Sequence, residues 1–514
     1  MAKEKFYLTT PLYYVNDVPH IGHAYTTVAA DTLARFKRLA GYDVYLLTGT
    51  DEHGLKVQKA AKEANLPPKD LADKVVVTFI DLWKKLDISY DDFIRTTEKR
   101  HKKVVLEIFN KLYEKGDIYK GEYEGNYCTP CETFWPDAQV KDKKCPDCGR
   151  SLERLKEESY FFKMSKYRNE LLDYIVKHED FIQPISRRHE IINFVKEGLR
   201  DISISRTAFD WGIQVPVDKK HIIYVWIDAL TNYISAIGYL EDKKKFNRLW
   251  PADLHIMGKD ILKFHAVIWP CILLAVEIEL PKRIFAHGWW TVEGEKMSKS
   301  KGNVIDPNKM VDEFGVDAFR YFLLREVPFG LDGNFSRGAL INRINSDLAN
   351  DLGNLVSRAL TMVKRYFERV VPRPDREEPE DKELKSLASD ILPKIEKNMN
   401  NLQFSEALEK IWKLVRETNK YIDYSQPWVL AKDKAKEKRL GTVLYNSLES
   451  LRIATVLISP FMPSSSEKIW KQLGIKEKLN KQTLDSAKEW GKFPPGIKIG
   501  KIEAVFPRIE AREV

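Results

Sequence analysis

Two short signatures set far apart, His20-Ile21-Gly22-His23 and Lys296-Met297-Ser298-Lys299-Ser300, constrain this chain more than anything else in it. Residues 6–10 form a β-prone run, residues 11–19 are rich in breakers, and residues 24–39 carry helical spacing that stops at Gly41. Strand, loop and helix in that order place both histidines at a helix N-terminus, where unpaired backbone N–H groups and the helix dipole favour anions such as phosphates. Gly22 leaves room for a ligand to approach the backbone. Taken alone, the first signature also reads as a helix start with two satisfied histidines, or as a metal pair.

A second strand-and-helix unit follows, with residues 42–48 as the strand and Gly54 opening the helix. Thr50-Asp51-Glu52-His53-Gly54 falls where that strand ends, which is where ligands collect in open parallel sheets. Neither Gly-x-Gly-x-x-Gly nor the Walker A pattern occurs, which disfavours a nicotinamide enzyme or a P-loop ATPase. A chain of 514 residues with 43% hydrophobic residues predicts several domains with sizeable cores. No apolar run reaches membrane-spanning length, and Met1-Ala2-Lys3-Glu4-Lys5 leads straight into the first strand, so neither a membrane span nor a signal peptide is expected. The formal net charge of +9 suits a polyanionic partner, and a solvated surface alone also produces such a value.

Four of the five cysteines form Cys128-x-x-Cys131 and Cys145-x-x-Cys148. Two such knuckles supply four thiolates to one tetrahedral Zn²⁺, with Cys145-Pro146-Asp147-Cys148-Gly149 as a turn that curls backbone N–H groups toward sulfur. Disulfides are the competing arrangement, and a large chain without a secretion signal favours zinc. Cys271, in an apolar stretch after Trp269-Pro270, reads as a buried core thiol.

Further along, residues 222–227 read as a buried strand, 228–237 as a helix, 254–258 as a strand, 261–276 as a helix and 283–287 as a strand. From Asp306 helical spacing dominates, broken by a charged, proline-containing loop at residues 372–379. Residues 432–439 are a charge run expected to cover a solvated helix.

Beyond the two signatures, Thr10-Pro11-Leu12-Tyr13-Tyr14, Asp51, Tyr224-Val225-Trp226-Ile227-Asp228-Ala229-Leu230-Thr231-Asn232-Tyr233, Gly258-Lys259-Asp260-Ile261-Leu262-Lys263-Phe264-His265, Trp269-Pro270 and His287-Gly288-Trp289 occur in one order. In that order the chain resembles the methionyl-tRNA synthetases of class I, over nearly its whole length. The resemblance implies an α/β fold: a Rossmann-like parallel-sheet catalytic domain with a zinc-knuckle insertion, followed by an α-helical bundle domain. Its expected divisions are a first catalytic half (1–115), a connective insertion (116–218), a second catalytic half (219–289), a signature-loop and stem-contact region (290–348) and a helical anticodon-binding domain (349–514).

For the site, the resemblance implies a methionine pocket of Leu12, Tyr14, Asp51, Trp226, Ala229, Tyr233, Ile261, Phe264, His265 and Trp269. Aromatic walls suit a polarizable thioether, and Asp51 suits an ammonium; scattered aromatics of this kind are otherwise ordinary core. It implies ATP binding by His20, Gly22, His23, Lys296, Met297, Ser298, Lys299 and Ser300, with His20, His23, Lys296 and Lys299 catalytic and Mg²⁺ accompanying ATP. Alone, the second signature reads as an exposed basic turn; Gly294 and Gly302 on either side would let it close over a nucleotide. Asn354 and Arg358, four apart on one helix face, and Trp428 would contact anticodon bases, although such residues are otherwise solvated or packing groups.

The implied reaction joins L-methionine and ATP into methionyl adenylate and pyrophosphate, then charges tRNA(Met), in the cytoplasm. An appended OB-fold that some relatives carry is expected to be absent, leaving a separate tRNA-binding OB-fold chain as a candidate partner. Competing readings are an isoleucyl, valyl, leucyl or cysteinyl synthetase, and a noncatalytic tRNA-binding paralogue or scaffold. The large editing insertion of the first three is missing, and the intact signatures oppose the last.

Overall fold

The computed structural model describes residues 3–129, 133–135, 140–146, 148–297 and 302–510. Its centre is a parallel sheet ordered Tyr13–Tyr14, Asp43–Asp51, Lys5–Thr9, Leu254–Gly258, Ile284–His287, Ile182–Gln183, with Asp92–Arg95 also pairing with Asp43–Asp51. Leu8, Leu46, Leu47 and Ile256 are fully buried, as expected of strands covered on both faces. Thr9 sits opposite His255, so the first strand joins halves of the chain widely separated in sequence. To one side of that strand the order runs to Asp43–Asp51 and to the other to Leu254–Gly258, which makes this the switch point where a crevice opens at the carboxyl ends.

The Ile21–Leu39 helix follows the first crossover, and Gly54, at φ +98°, turns the Asp43–Asp51 strand into the Leu55–Glu63 helix. Between the two halves, Ile118–Cys128 and Glu153–Phe162 form a long antiparallel pair within a four-stranded sheet. The expected strand at residues 222–227 is corrected. Asp218–Ile223 is the strand, in a small antiparallel sheet, and Val225–Leu230 is already a helix, continued after Thr231 by Asn232–Ser235. The apolar run there is buried on all sides, and periodicity alone does not separate a strand from a short helix in such a setting. The expected helix at 261–276 is a π-helical turn, Phe264–Ile268, followed by the α-helix Trp269–Ala275.

After Pro307 the chain is mostly helical. Pro379–Asn400, Phe404–Ser425 and Glu437–Ile458 pack as long helices, the last buried throughout from Leu440 to Ile458. No helix among the described residues is long and apolar enough to cross a membrane.

Arg320, on the Val316–Arg325 helix, is wholly buried where these parts meet. Its guanidinium donates to Asp31 Oδ2 at 2.7 Å on the Ile21–Leu39 helix, to the Leu86 carbonyl at 3.0 Å, and to the Phe461 and Pro460 carbonyls at 2.9 and 3.1 Å. Removing Arg320 would leave Asp31 with Arg35 alone, at 2.8 Å, and the three buried carbonyls without this donor, and breaking a buried ion pair costs about 3–5 kcal/mol. Arg320→Met is therefore expected to lower unfolding stability by about that amount, read by chemical denaturation; a loss within about 0.5 kcal/mol would show that the pair contributes nothing net.

Candidate active site

The first signature builds its own scaffold. His20 is the N-cap of the Ile21–Leu39 helix. The Gly22 N–H donates to His20 Nδ1 and the His20 N–H donates to His23 Nδ1, both at 3.1 Å. This is a capping box made of two imidazoles, whose rings stack at 3.9 Å. Backbone N–H groups only donate, so each Nδ1 is an acceptor and the ring proton of each neutral histidine sits on Nε2. A side chain on Gly22 would strike the His20 ring at 2.9 Å, so the glycine serves the cap as well as any ligand.

Burial lowers the pKa of His20, against the opposing pull of Asp260. Burial, then the neighbouring His20, pushes His23 well below the ordinary histidine value. Both rings are thus neutral N–H donors at pH 7.

These histidines open onto a cleft of about 770 Å³ at the carboxyl ends of the sheet. Nine of the ten residues expected for methionine line it: Leu12, Tyr14, Asp51, Trp226, Ala229, Tyr233, Ile261, Phe264 and His265. Trp269 does not reach the surface of the cleft; it is fully buried one layer behind, its ring 6.0 Å from Tyr233. Trp226 and Phe264 stack face to face at 3.6 Å. The π-turn carries Phe264 and His265 together to the wall, a distortion common where function needs a side chain re-aimed.

His265 Nδ1 donates to the Ile261 carbonyl at 2.9 Å, and its Nε2 accepts from the Tyr233 hydroxyl at 2.7 Å. Burial pushes its pKa down to about 4, against the Ile261 carbonyl and Asp260. The result is a neutral, internally satisfied polar pair at the end of an aromatic pocket.

The second signature starts at the same cleft. Glu295–Lys296 pairs with Trp290–Val292, and Met297 lines the opening. Ser298, Lys299 and Ser300 lie outside the described residues, and so does Cys131. Gly294 and Gly302, at φ +81° and +67°, bracket the segment. The Ile21 N–H donates to the Ile305 carbonyl at 3.1 Å, tying the two signature regions together.

Several cleft residues escaped the sequence reading. Lys259 lies 4.2 Å over the Trp289 ring and pairs with Asp332, while Arg187, Glu190 and Cys148 reach the cleft from the insertion. Lys259 was legible within the Gly258–His265 motif and Cys148 within its cysteine pair, though not as a cleft residue, whereas Arg187 and Glu190 had no local signal.

Cys128, Cys145 and Cys148 bring their sulfurs within 4.8 Å of one another, a set able to hold a metal ion. Cys128 and Cys148 are 3.5 Å apart, far beyond a disulfide bond of about 2.05 Å. Cys271 is a buried thiol pushed up to about 12 by burial, then by Glu170. In the helical region Asn354 and Arg358 share the Asn354–Tyr366 helix, and the Arg358 guanidinium lies 5.9 Å from the Trp428 ring. Trp428 is 40% exposed, so it is not a core packing residue, and its neighbour Tyr424, which the sequence did not single out, is 70% exposed.

A histidine whose folded pKa is depressed loses stability as pH falls, because the unfolded chain takes up the proton first. For His265, with a pKa of about 4 folded and 6.5 unfolded, the stability is fully present above pH 6.5 and about 2 kcal/mol is gone by pH 5. The melting temperature is expected to fall between pH 7 and pH 5 and to fall less steeply in His265→Gln. Equal slopes in the two proteins would refute the neutral, buried imidazole.

A family model described as tRNA synthetases class I (M) matches residues 6–360, and an anticodon-binding domain of tRNA ligases matches residues 381–508. The chain is 59% identical over 512 residues to a methionine–tRNA ligase of Caldanaerobacter subterraneus, covering 99% of this chain and 80% of that one. It is 50% identical over 522 residues to that of Bacillus subtilis, covering 99% and 78%. A solved Mycobacterium tuberculosis methionyl-tRNA synthetase in complex with methionyl-adenylate superposes with a TM-score of 0.95 at 44% identity, covering 98% of this chain and 100% of that one. A cleft that joins a neutral-histidine helix cap to an aromatic pocket, in a chain matched this fully, makes this protein a member of the methionine group of class I tRNA synthetases.

Proposed function

We propose that this cleft activates L-methionine with ATP, forming methionyl adenylate and pyrophosphate, and then esterifies the 3′-terminal adenosine of tRNA(Met). The observation that carries this reading is the shared cleft. The signature histidines, the aromatic pocket with Asp51, and Met297 of the second signature all meet there.

The methionine carboxylate is already ionised at neutral pH, so its attack on the ATP α-phosphate needs no general base. Positioning and charge stabilisation remain. In this assignment Asp51 takes the ammonium, and Trp226, Ala229, Tyr233 and Phe264 enclose the thioether. His20 and His23 donate Nε2–H to phosphate oxygens around the reacting centre. Lys296 and Lys299 take the β- and γ-phosphates as pyrophosphate leaves, with Mg²⁺ offsetting phosphate charge when bound with ATP.

The three described cysteine sulfurs fit one Zn²⁺. Tetrahedral bonds of about 2.3 Å put sulfurs about 3.8 Å apart, and Cys131 would complete the set. Zinc there would stabilise the knuckle and do no chemistry. The expected domain divisions and a cytoplasmic site of action belong to the same reading. An OB-fold chain with affinity for tRNA is the kind of partner that would strengthen capture of the nucleic acid.

Pyrophosphate exchange tested with each of the twenty amino acids is expected to respond to methionine above all others. A stronger response to isoleucine, valine, leucine or cysteine, or none to any, would overturn the reading.

At the far end, Arg358, partly buried and ion-paired with Asp423, lies beside the exposed Trp428, and in this reading these two and Asn354 contact single-stranded anticodon bases. Base–aromatic stacking is worth about 1–3 kcal/mol. Trp428→Ala is therefore expected to cut tRNA charging at least several-fold while methionine-dependent exchange and the melting temperature hold. Unchanged charging would remove Trp428 from the anticodon site.

A further inference from the structure

Behind the methionine pocket lies a buried polar group that the reaction above does not use. Asp228, 1% exposed, accepts from His53 Nδ1 at 2.6 Å through one carboxylate oxygen and from His101 Nε2 at 2.7 Å through the other. The second nitrogen of His101 is hydrogen-bonded to Ser235 Oγ at 2.8 Å. Both histidines are buried.

Asp228 is on the Val225–Leu230 helix and Ser235 is on the short Asn232–Ser235 helix that follows, so His101 grips this two-helix segment at both ends. The same segment presents Trp226, Ala229 and Tyr233 to the cleft. His101 stands on the Lys99–Glu114 helix, and His53 follows two residues after Asp51 at the end of its strand. Trp211 locks that strand end from outside, donating its indole N–H to the Glu52 carbonyl at 2.6 Å. Glu52 itself is held by the Arg95 guanidinium, at 2.6 and 3.1 Å. The ammonium-binding end and the thioether-binding end of the pocket therefore belong to separate elements; Asp228, itself on the thioether-binding segment, is hydrogen-bonded through His53 to the strand end that carries Asp51 and through His101 to the Lys99–Glu114 helix behind both.

We infer that Asp228, with His53 and His101, is a positioning residue for methionine recognition, setting the separation between Asp51 and the wall formed by Trp226, Ala229 and Tyr233. Asp228 does not touch the substrate. Its effect is on the affinity for methionine, since the signature cap that faces ATP is on another helix with its own internal hydrogen bonds. The stake is large because a buried carboxylate with two charge-assisted hydrogen bonds is held rigidly. A fixed geometry of this kind is what a binding pocket needs from the residues behind it. Burial alone would raise the Asp228 pKa, and the two histidines outweigh it, holding the carboxyl at about 2.

The inference rests on methionine being the substrate, so the test includes the unaltered protein. Pyrophosphate exchange is measured on the full chain with methionine and ATP varied separately, for Asp228→Ala, Asp228→Asn and His101→Ala, together with methionine binding by calorimetry and thermal melting. Asp228→Ala and His101→Ala are expected to raise the methionine KM about tenfold or more, with the ATP KM within about twofold. Asp228→Asn keeps an acceptor for one ring and turns an amide donor toward the other, which accepts it by taking its other tautomer, as His101 can with Ser235 Oγ as the new acceptor; this variant is expected to restore most of the methionine affinity.

If Asp228→Ala does not fold, the folded Asp228→Asn and His101→Ala proteins carry the test. An unchanged methionine KM in folded His101→Ala, or methionine and ATP KM values rising together, overturns the inference while leaving the function intact. An unaltered protein that activates no methionine overturns both.

Discussion

The buried pair of Arg320 and Asp31 is the interaction on which the arrangement of the molecule depends. Asp31 lies three turns along the same helix whose first turn holds the signature histidines. Burial alone would raise the Asp31 carboxyl, and Arg320 followed by Arg35 holds it below the usual carboxylate range. Arg320 spends its remaining donors on backbone carbonyls at Leu86, Pro460 and Phe461. One guanidinium thereby joins the helix that carries the first signature, the helix beyond the second signature and the C-terminal helical region. Only a fork of five donors reaches so many acceptors, which lysine cannot do.

With that helix anchored, the two imidazoles at its N-terminus are kept uncharged. Two stacked imidazoles beside each other would repel if both were protonated, and burial keeps them neutral. The capping hydrogen bonds occupy both Nδ1 atoms and leave Nε2–H as the outward donor. The same economy recurs at His265, whose two nitrogens are taken by Ile261 and Tyr233. Neutral, oriented donors stabilise developing charge without reorganising when the reaction occurs.

Much of the site was legible because its parts are local. The histidine cap is a four-residue motif at the start of a helix, and the cysteine knuckles are fixed by spacing. The aromatic pocket was legible only through resemblance, since buried aromatics at Trp226, Tyr233 or Phe264 look like any core. Trp269 shows the limit: its motif pointed to the pocket, yet its indole packs behind Tyr233. At residues 222–227 an all-apolar run concealed the change from strand to helix, since burial on every side erases the period that tells them apart.

The sequence by itself determined the class of fold, the two signatures, the paired spacing of the cysteines and the helical character of the C-terminal region. Each of these is written in neighbouring residues, where capping, turn and periodicity rules act. Only the tertiary structure decided that Asp228 faces His53 and His101, that Arg320 reaches Asp31, and that Arg187 and Cys148 from the insertion border the cleft. These pairs lie far apart along the chain. They meet because a parallel sheet must bring its crossovers back to adjacent strands, and no local rule encodes which buried polar group will then complete another.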